Sequence, residues 1–256
     1  MIFIIIVIIL ILLYIIFFNN KKNNKNVEEF QKEDIINDNY EKEEIEEIKK
    51  ESNINLKLLD GLLKESLTNS YKIFWFKAIY ENILSGKKEM SFYEGGVKMI
   101  SYASIPLIKY KLSLGKQDIT YKVIEEISEI YPEFFFESNL ENIEENILSK
   151  NNKDIKNSIN KILKYVPYRL LSPYFKEEMI KLKLPDNKRN NYIEKRTLED
   201  KRCFYKIEDK KIIVSEEYFK FILNNKENIK LIIDNNLIEY LQKNNPGILD
   251  IKNKIK

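Results

Sequence analysis

The sequence of 256 residues contains no histidine and one cysteine, Cys203. Histidine is the usual general base near neutral pH and the commonest metal ligand. Its absence excludes Ser-His and Cys-His nucleophile pairs and every histidine-based nuclease centre, so any chemistry would have to use carboxylates and lysines. Cys203 begins a predicted strand and has no second ligand beside it, so we interpret it as a buried packing residue without a catalytic, redox or metal-binding role.

Net charge is also nearly absent, because 43 basic and 40 acidic residues give only +3. The whole molecule therefore has no electrostatic field that indicates a nucleic-acid or membrane ligand. Any such partner has to be bound by a local surface. Glycine is scarce, with 6 residues, whereas lysine is so abundant that a single lysine carries little information.

The first 18 residues, MIFIIIVIILILLYIIFF, contain no charged side chain. As a helix, this run would reach roughly 27 Å, close to the thickness of a bilayer core, so residues 1–18 are predicted to form a transmembrane helix. Lys21, Lys22 and Lys25 follow it and nothing basic precedes it, which predicts a membrane anchor with a cytoplasmic C-terminal domain. Residues 19–55 are predicted to form a charged stalk or linker. If the start codon is assigned too far upstream, the protein is expected to be cytoplasmic.

Residues 56–256 are predicted to form one α-rich globular domain. Apolar residues recur at helical spacing, as at Ile155, Ile159 and Ile162. Near the carboxyl end, CFYKI and KIIV alternate on either side of EDK, which is typical of a hairpin, and Ser215 can cap the helix that follows. The predicted fold class is therefore mainly α, with one short β-hairpin near the C-terminus.

A Gly-Lys pair at Gly115 raises the question of a phosphate-binding loop. The motif G-x-x-x-x-G-K-[ST] needs a first glycine and a final hydroxyl, but those positions are Tyr110 and Gln117. We interpret Gly115 instead as the left-handed end of a helix that contains Leu112, with Asp118 capping the next helix.

Three residues, Asp186, Glu208 and Lys210, imitate the Pro-Asp and Glu-x-Lys pattern of metal-dependent nucleases. In that chemistry the two carboxylates would hold magnesium and the lysine would steady the attacked phosphate. Both segments also have the composition of turns. The sequence therefore favours solvated turns, and we predict no catalytic residue, no metal ligand and no cofactor.

Residues 69–122 contain nine lysines and four acidic residues, which gives a local charge of +5. Such a surface could contact the phosphate backbone of nucleic acid with a sequence-independent, salt-sensitive affinity. The alternative is an ordinary solvated face in a lysine-rich chain. The candidate nucleic-acid-binding residues are Lys72, Lys77, Lys109, Lys111 and Lys116.

A family resemblance rests on four stretches: NSYKIFWFKAIYENI (69–83), SFYEGGVKMISYASIPLIKYKLSLGKQD (91–118), VPYRLLSPYF (166–175) and NNPGILDIKNKI (244–255). Over roughly residues 56–255 the chain resembles the amino-terminal, non-catalytic region of bacterial HNH endonuclease-domain proteins, in which a mostly helical module precedes the nuclease. The resemblance implies that the segment around Asn245-Pro246 lies shortly before the nuclease. Because the sequence ends at Lys256 without a histidine, the catalytic half is expected to be missing, and no catalytic residue of the family is carried over.

Two functions are expected. The first is a non-catalytic DNA- or partner-recognition module, the truncated front half of an HNH-type nuclease. The second is a membrane-tethered structural or regulatory protein, anchored through residues 1–18, whose cytoplasmic helical domain binds a protein partner. A third, less favoured hypothesis is an intact enzyme that uses Asp186, Glu208 and Lys210.

Overall fold

The computed structural model describes residues 54–65, 69–116, 118–135, 140–150 and 152–255. The predicted transmembrane helix at 1–18 and nearly all of the predicted stalk at 19–55 lie outside these ranges. Within them, no helix has both the length and the apolar character needed to cross a bilayer.

The described residues are mainly helical, as the apolar spacing predicts. In chain order the helices are α1 (Leu56–Lys64), α2 (Tyr71–Leu84), α3 (Phe92–Ser104), α4 (Ile119–Ile130), α5 (Leu140–Lys150), α6 (Lys153–Leu163), α7 (Val166–Arg169), α8 (Lys176–Lys181), α9 (Asp186–Glu199), α10 (Glu216–Asn224), α11 (Lys226–Asn244) and α12 (Ile251–Lys254). The strands are β1 (Glu89–Ser91), β2 (Tyr205–Glu208) and β3 (Lys211–Val214). A π-helical turn, Ile105–Lys109, continues α3, and 3₁₀ turns occupy Pro132–Phe135 and Ser172–Phe175.

The predicted hairpin is present as β2 and β3, which pair antiparallel. Its two-residue turn consists of Asp209 and Lys210, with φ values of 47° and 59°, the left-handed conformation that a tight hairpin turn requires. The sequence did not predict β1, which pairs antiparallel with β3 through Met90 and Ile212 and completes a sheet of order β1-β3-β2. Three residues are too few to show an alternating pattern.

Helix α2 forms the centre of the core. It is apolar on nearly every side, and Phe74, Trp75 and Phe76 are fully buried in the core. The Nε1–H of Trp75 donates a hydrogen bond to the Tyr205 hydroxyl (3.1 Å), and that hydroxyl donates to the Pro167 carbonyl oxygen (2.5 Å). These two bonds join α2, β2 and α7 inside the core.

Helix α3 begins with a capping box. The Glu94 amide donates to the Ser91 hydroxyl at 3.2 Å, and the Glu94 carboxylate accepts from the Ser91 amide at 2.8 Å. The cap predicted at Ser215 is confirmed, because its hydroxyl accepts from the Tyr218 amide at 3.4 Å. These caps fix where the helices beside the sheet begin.

Two local predictions were wrong. The helix expected to contain Leu112 ends at Lys109, because the chain turns at Lys111, whose φ is 52°, and the Leu112 amide bonds the Pro106 carbonyl instead. Asp186 does not lie in a turn but begins α9, where a carboxylate in the first turn is favoured by the helix dipole.

Candidate nucleic-acid interface

Three of the five predicted lysines lie together on one exposed loop. Residues 109–116, here called the lysine loop, begin at the last residue of the π-helical turn and carry the exposed side chains of Lys109, Lys111 and Lys116. Leu112 and Leu114 alternate with the polar positions and are each 1% exposed. Because the two leucines anchor the loop in the core, the residues between and around them face solvent.

The C-terminal part of the chain holds the lysine loop through Asn245, whose side chain is buried. The Asn245 Oδ1 accepts from the Ser113 amide at 2.8 Å, and its Nδ2 donates to the Ser113 carbonyl oxygen at 2.9 Å. The same Nδ2 donates to the Leu241 carbonyl oxygen at 2.8 Å. Close by, the Tyr240 hydroxyl donates to the Leu114 carbonyl oxygen at 2.5 Å. The loop is therefore attached to α11 and the residue that follows it.

The end of the lysine loop shows why a glycine occurs at position 115. Gly115 has a φ of 92°, a conformation that strains any residue with a side chain, and a Cβ there would lie 2.8 Å from the Asn244 Oδ1 and force that side chain to shift. Asp118 then caps α4, as predicted, by accepting from the Thr120 amide at 2.9 Å. The other Asp118 oxygen accepts from both the amide and the hydroxyl of Ser70, each at 2.6 Å. Gly115 thus serves a backbone turn rather than a phosphate cradle.

The lysine loop carries unneutralised positive charge. In the part of the chain that the structure describes, Lys109, Lys111 and Lys116 form no ion pair. The Lys109 ammonium lies 5.4 Å from the centroid of the Tyr110 ring, and the Lys254 ammonium lies 5.6 Å from the same ring. Lys254 of α12 therefore extends the cationic surface, and no local sequence pattern predicts this contact.

The other two predicted lysines point elsewhere. Lys72 is 4% exposed, and its ammonium donates to the Glu65 carbonyl oxygen at 2.7 Å. Burial lowers the pKa of Lys72 to about 8. The half-buried ammonium of Lys77 lies 4.5 Å from the centroid of the Tyr102 ring, and burial lowers the pKa of Lys77 as well. Because α2 is a core helix, these two lysines do not present exposed ammonium groups beside the lysine loop.

The nuclease-like triplet does not assemble a metal site. The Asp186 carboxylate pairs with the Arg169 guanidinium at 2.7 Å, and this hydrogen bond holds the pKa of Asp186 below its ordinary value. Glu208 lies opposite Lys211 in the sheet, and Lys210 lies in the hairpin turn. Among the described residues, no three His, Cys, Asp or Glu side chains are grouped so that they could hold a metal ion.

Comparisons of the chain with protein-family models, with curated proteins and with solved structures found no match. The chemistry of the lysine loop therefore rests on its own geometry. Exposed ammonium groups without carboxylate partners are suited to phosphate oxygens, and a loop attached at Asn245 can present them in a fixed arrangement.

Proposed function

We propose that residues 56–256 form a non-catalytic nucleic-acid-binding module, resembling the front half of an HNH endonuclease, that contacts the phosphate backbone of duplex DNA through the lysine loop. The observation that supports this function is the exposure of Lys109, Lys111 and Lys116 on one attached loop. Because the loop is already ordered, less conformational entropy is lost on binding than for a free segment.

Binding of this kind is expected to be independent of base sequence. An ammonium group on a flexible stem contacts phosphate as a point charge and lacks the planar fork with which arginine reads guanine. Phosphate contacts position a protein on the duplex without specifying bases. We therefore expect a weak, general affinity for duplex DNA.

The test is a binding titration of the full chain, kept in a mild non-ionic detergent because residues 1–18 are apolar. Fluorescence anisotropy of a labelled DNA duplex would be followed over a series of salt concentrations. If the three loop lysines and Lys254 each contact one phosphate, the logarithm of the binding constant should fall with the logarithm of the salt concentration at a slope of about −3.6. A chain that does not bind duplex DNA at low salt, or binds independently of salt, would contradict the proposed function.

A further inference from the structure

A cleft of about 590 Å³ opens between the start of α3, the end of α6, the start of α9 and the β2–β3 turn. Its volume lies in the range of small-molecule sites. The cleft shares no lining residue with the lysine loop. Four asparagines and three lysines contribute to its walls.

The cations of the cleft are Lys164, Lys210 and Lys211, and the lining contains one carboxylate, Asp209. None of the three ammonium groups forms an ion pair with any residue that the structure describes. Lys210 is held in the hairpin turn by its left-handed backbone, and its carbonyl oxygen accepts from the Phe92 amide at 2.8 Å. The turn thus fixes two neighbouring lysines at one end of the cleft.

Three of the four asparagines share one face of α9. Asn187, Asn190 and Asn191 follow the i, i+3, i+4 spacing along α9, which places them side by side. The Asn190 Nδ2 donates to the Lys164 carbonyl oxygen at 2.8 Å, which orients the amide. The Asn190 Oδ1 is shielded from solvent and has no hydrogen-bond partner among the described residues.

Tyr93, which also lines the cleft, carries a second buried polar atom without a hydrogen-bond partner in the described part of the chain. The Tyr93 hydroxyl is shielded from solvent and finds no hydrogen-bond partner among the described residues. A buried polar group without a partner is destabilising, so two such groups on residues that line one cleft call for an explanation. If these side chains rotate toward the cleft that they line, a ligand there could donate to Asn190 and bond Tyr93.

The remaining wall is apolar and aromatic. The Phe92 and Tyr168 rings meet edge to face at 6.0 Å, and Leu163 lies beside them. A flat ring could pack against such a wall. An inorganic anion would use the lysines but neither this wall nor the amide of Asn190.

We infer that this cleft binds a nucleoside phosphate. The phosphate would lie against Lys164, Lys210 and Lys211. The base would pack on the wall of Phe92 and Tyr168, and its polar groups would bond the Asn190 Oδ1 and the Tyr93 hydroxyl. The nucleoside phosphate could be a free mononucleotide or the phosphorylated end of a nucleic-acid strand. This inference goes beyond the proposed function, because it concerns a separate set of residues.

The experiment uses the full chain in detergent and calorimetric titration. The four nucleoside 5′-monophosphates would be compared with the matching nucleosides and with inorganic phosphate, and a single-stranded oligonucleotide with a 5′-phosphate would be compared with its 5′-hydroxyl form. The phosphorylated ligand of at least one pair should bind tighter by about tenfold or more. Preference for a monophosphate identifies the free ligand, and preference only for the phosphorylated strand identifies a strand end.

Variants decide whether the cleft is responsible. Lys210→Asn removes an ammonium while keeping a residue that tolerates a left-handed backbone, and Lys211→Gln removes its neighbour. Together they should weaken binding about tenfold or more, whereas Lys195→Gln, an exposed lysine of α9 outside the cleft, should not. Tyr93→Phe should weaken binding several-fold without lowering stability, because its hydroxyl has no hydrogen-bond partner among the residues that the structure describes.

The inference is overturned if no phosphorylated ligand is preferred, if inorganic phosphate binds as tightly as the nucleotide, or if the cleft variants bind like the wild type. Substitution of Lys109, Lys111 and Lys116 should leave monophosphate binding intact. Failure of this inference is therefore distinguishable from failure of the proposed duplex binding.

Discussion

Replacing Gly95 with alanine is expected to lower the free energy of unfolding by about 3 kcal/mol. A Cβ at Gly95 would lie 2.4 Å from the Trp75 Cζ3 and 2.7 Å from the Met90 Cε. Both distances are far inside van der Waals contact, so either the indole or helix α3 has to move.

The indole has little freedom to do so. Trp75 is fully buried, its Nε1–H donates to the Tyr205 hydroxyl, and its ring meets Phe92 edge to face at 6.0 Å. A shift of the ring would weaken both interactions, and repacking of α3 would disturb Gly96, where a Cβ would lie 2.5 Å from the Ile159 Cγ2. Overpacking of a dense core is costly because the neighbouring side chains have no empty space into which they can move.

Gly61 provides the matched control. It lies within helix α1, and a Cβ there would have no heavy atom within 4 Å. Gly61→Ala should therefore raise the free energy of unfolding by about 0.5–1 kcal/mol through helix propensity. Urea denaturation followed by circular dichroism would measure both variants, and equal effects would refute the packing described for Gly95.

Replacing Asn245 with alanine is expected to cost about 2–3 kcal/mol of stability and also to weaken DNA binding. The substitution removes the hydrogen bonds to the amide and carbonyl of Ser113 and the bond to the Leu241 carbonyl oxygen. The lysine loop would lose its main attachment to the C-terminal segment. It would then become ordered only when DNA binds, and the entropy lost in that step would weaken the binding.

Asn235→Ala is the control for this change. Asn235 is an exposed residue of α11, the helix that Asn245 follows, so its replacement should change stability by no more than about 0.5 kcal/mol and leave DNA affinity unchanged. Denaturation and anisotropy titrations would be run on both variants. If Asn245→Ala loses stability but binds duplex DNA as well as the wild type, the lysine loop is not the interface.

Local patterns predicted much of the fold. The spacing of Ile155, Ile159 and Ile162 predicted α6, and all three are buried there. The predicted caps at Ser215 and Asp118 also needed only neighbouring residues, because a cap is a contact across two or three positions.

Contacts between distant parts of the chain could not be predicted in this way. Asn245 and Ser113 are 132 positions apart, and nothing near either residue indicates their pairing. Lys254 and Tyr110 are likewise far apart in the sequence, and nothing near either residue indicates that they are in contact. The burial of Lys72 was missed because α2 is apolar on nearly all sides, so its periodicity indicates no solvent-facing stripe on which a lysine could be placed.

The most direct test of the proposed function compares the salt dependence of duplex DNA binding in the wild type and in a variant with Lys109→Gln, Lys111→Gln and Lys116→Gln. A control would replace three exposed lysines outside the loop, Lys153, Lys195 and Lys201. If each loop lysine contacts one phosphate, the loop variant should bind more weakly at low salt, and its slope should be less steep by about 2.7, whereas the control should retain the wild-type slope. Identical slopes for the wild type and the loop variant would contradict the assignment of the lysine loop as the DNA-binding surface.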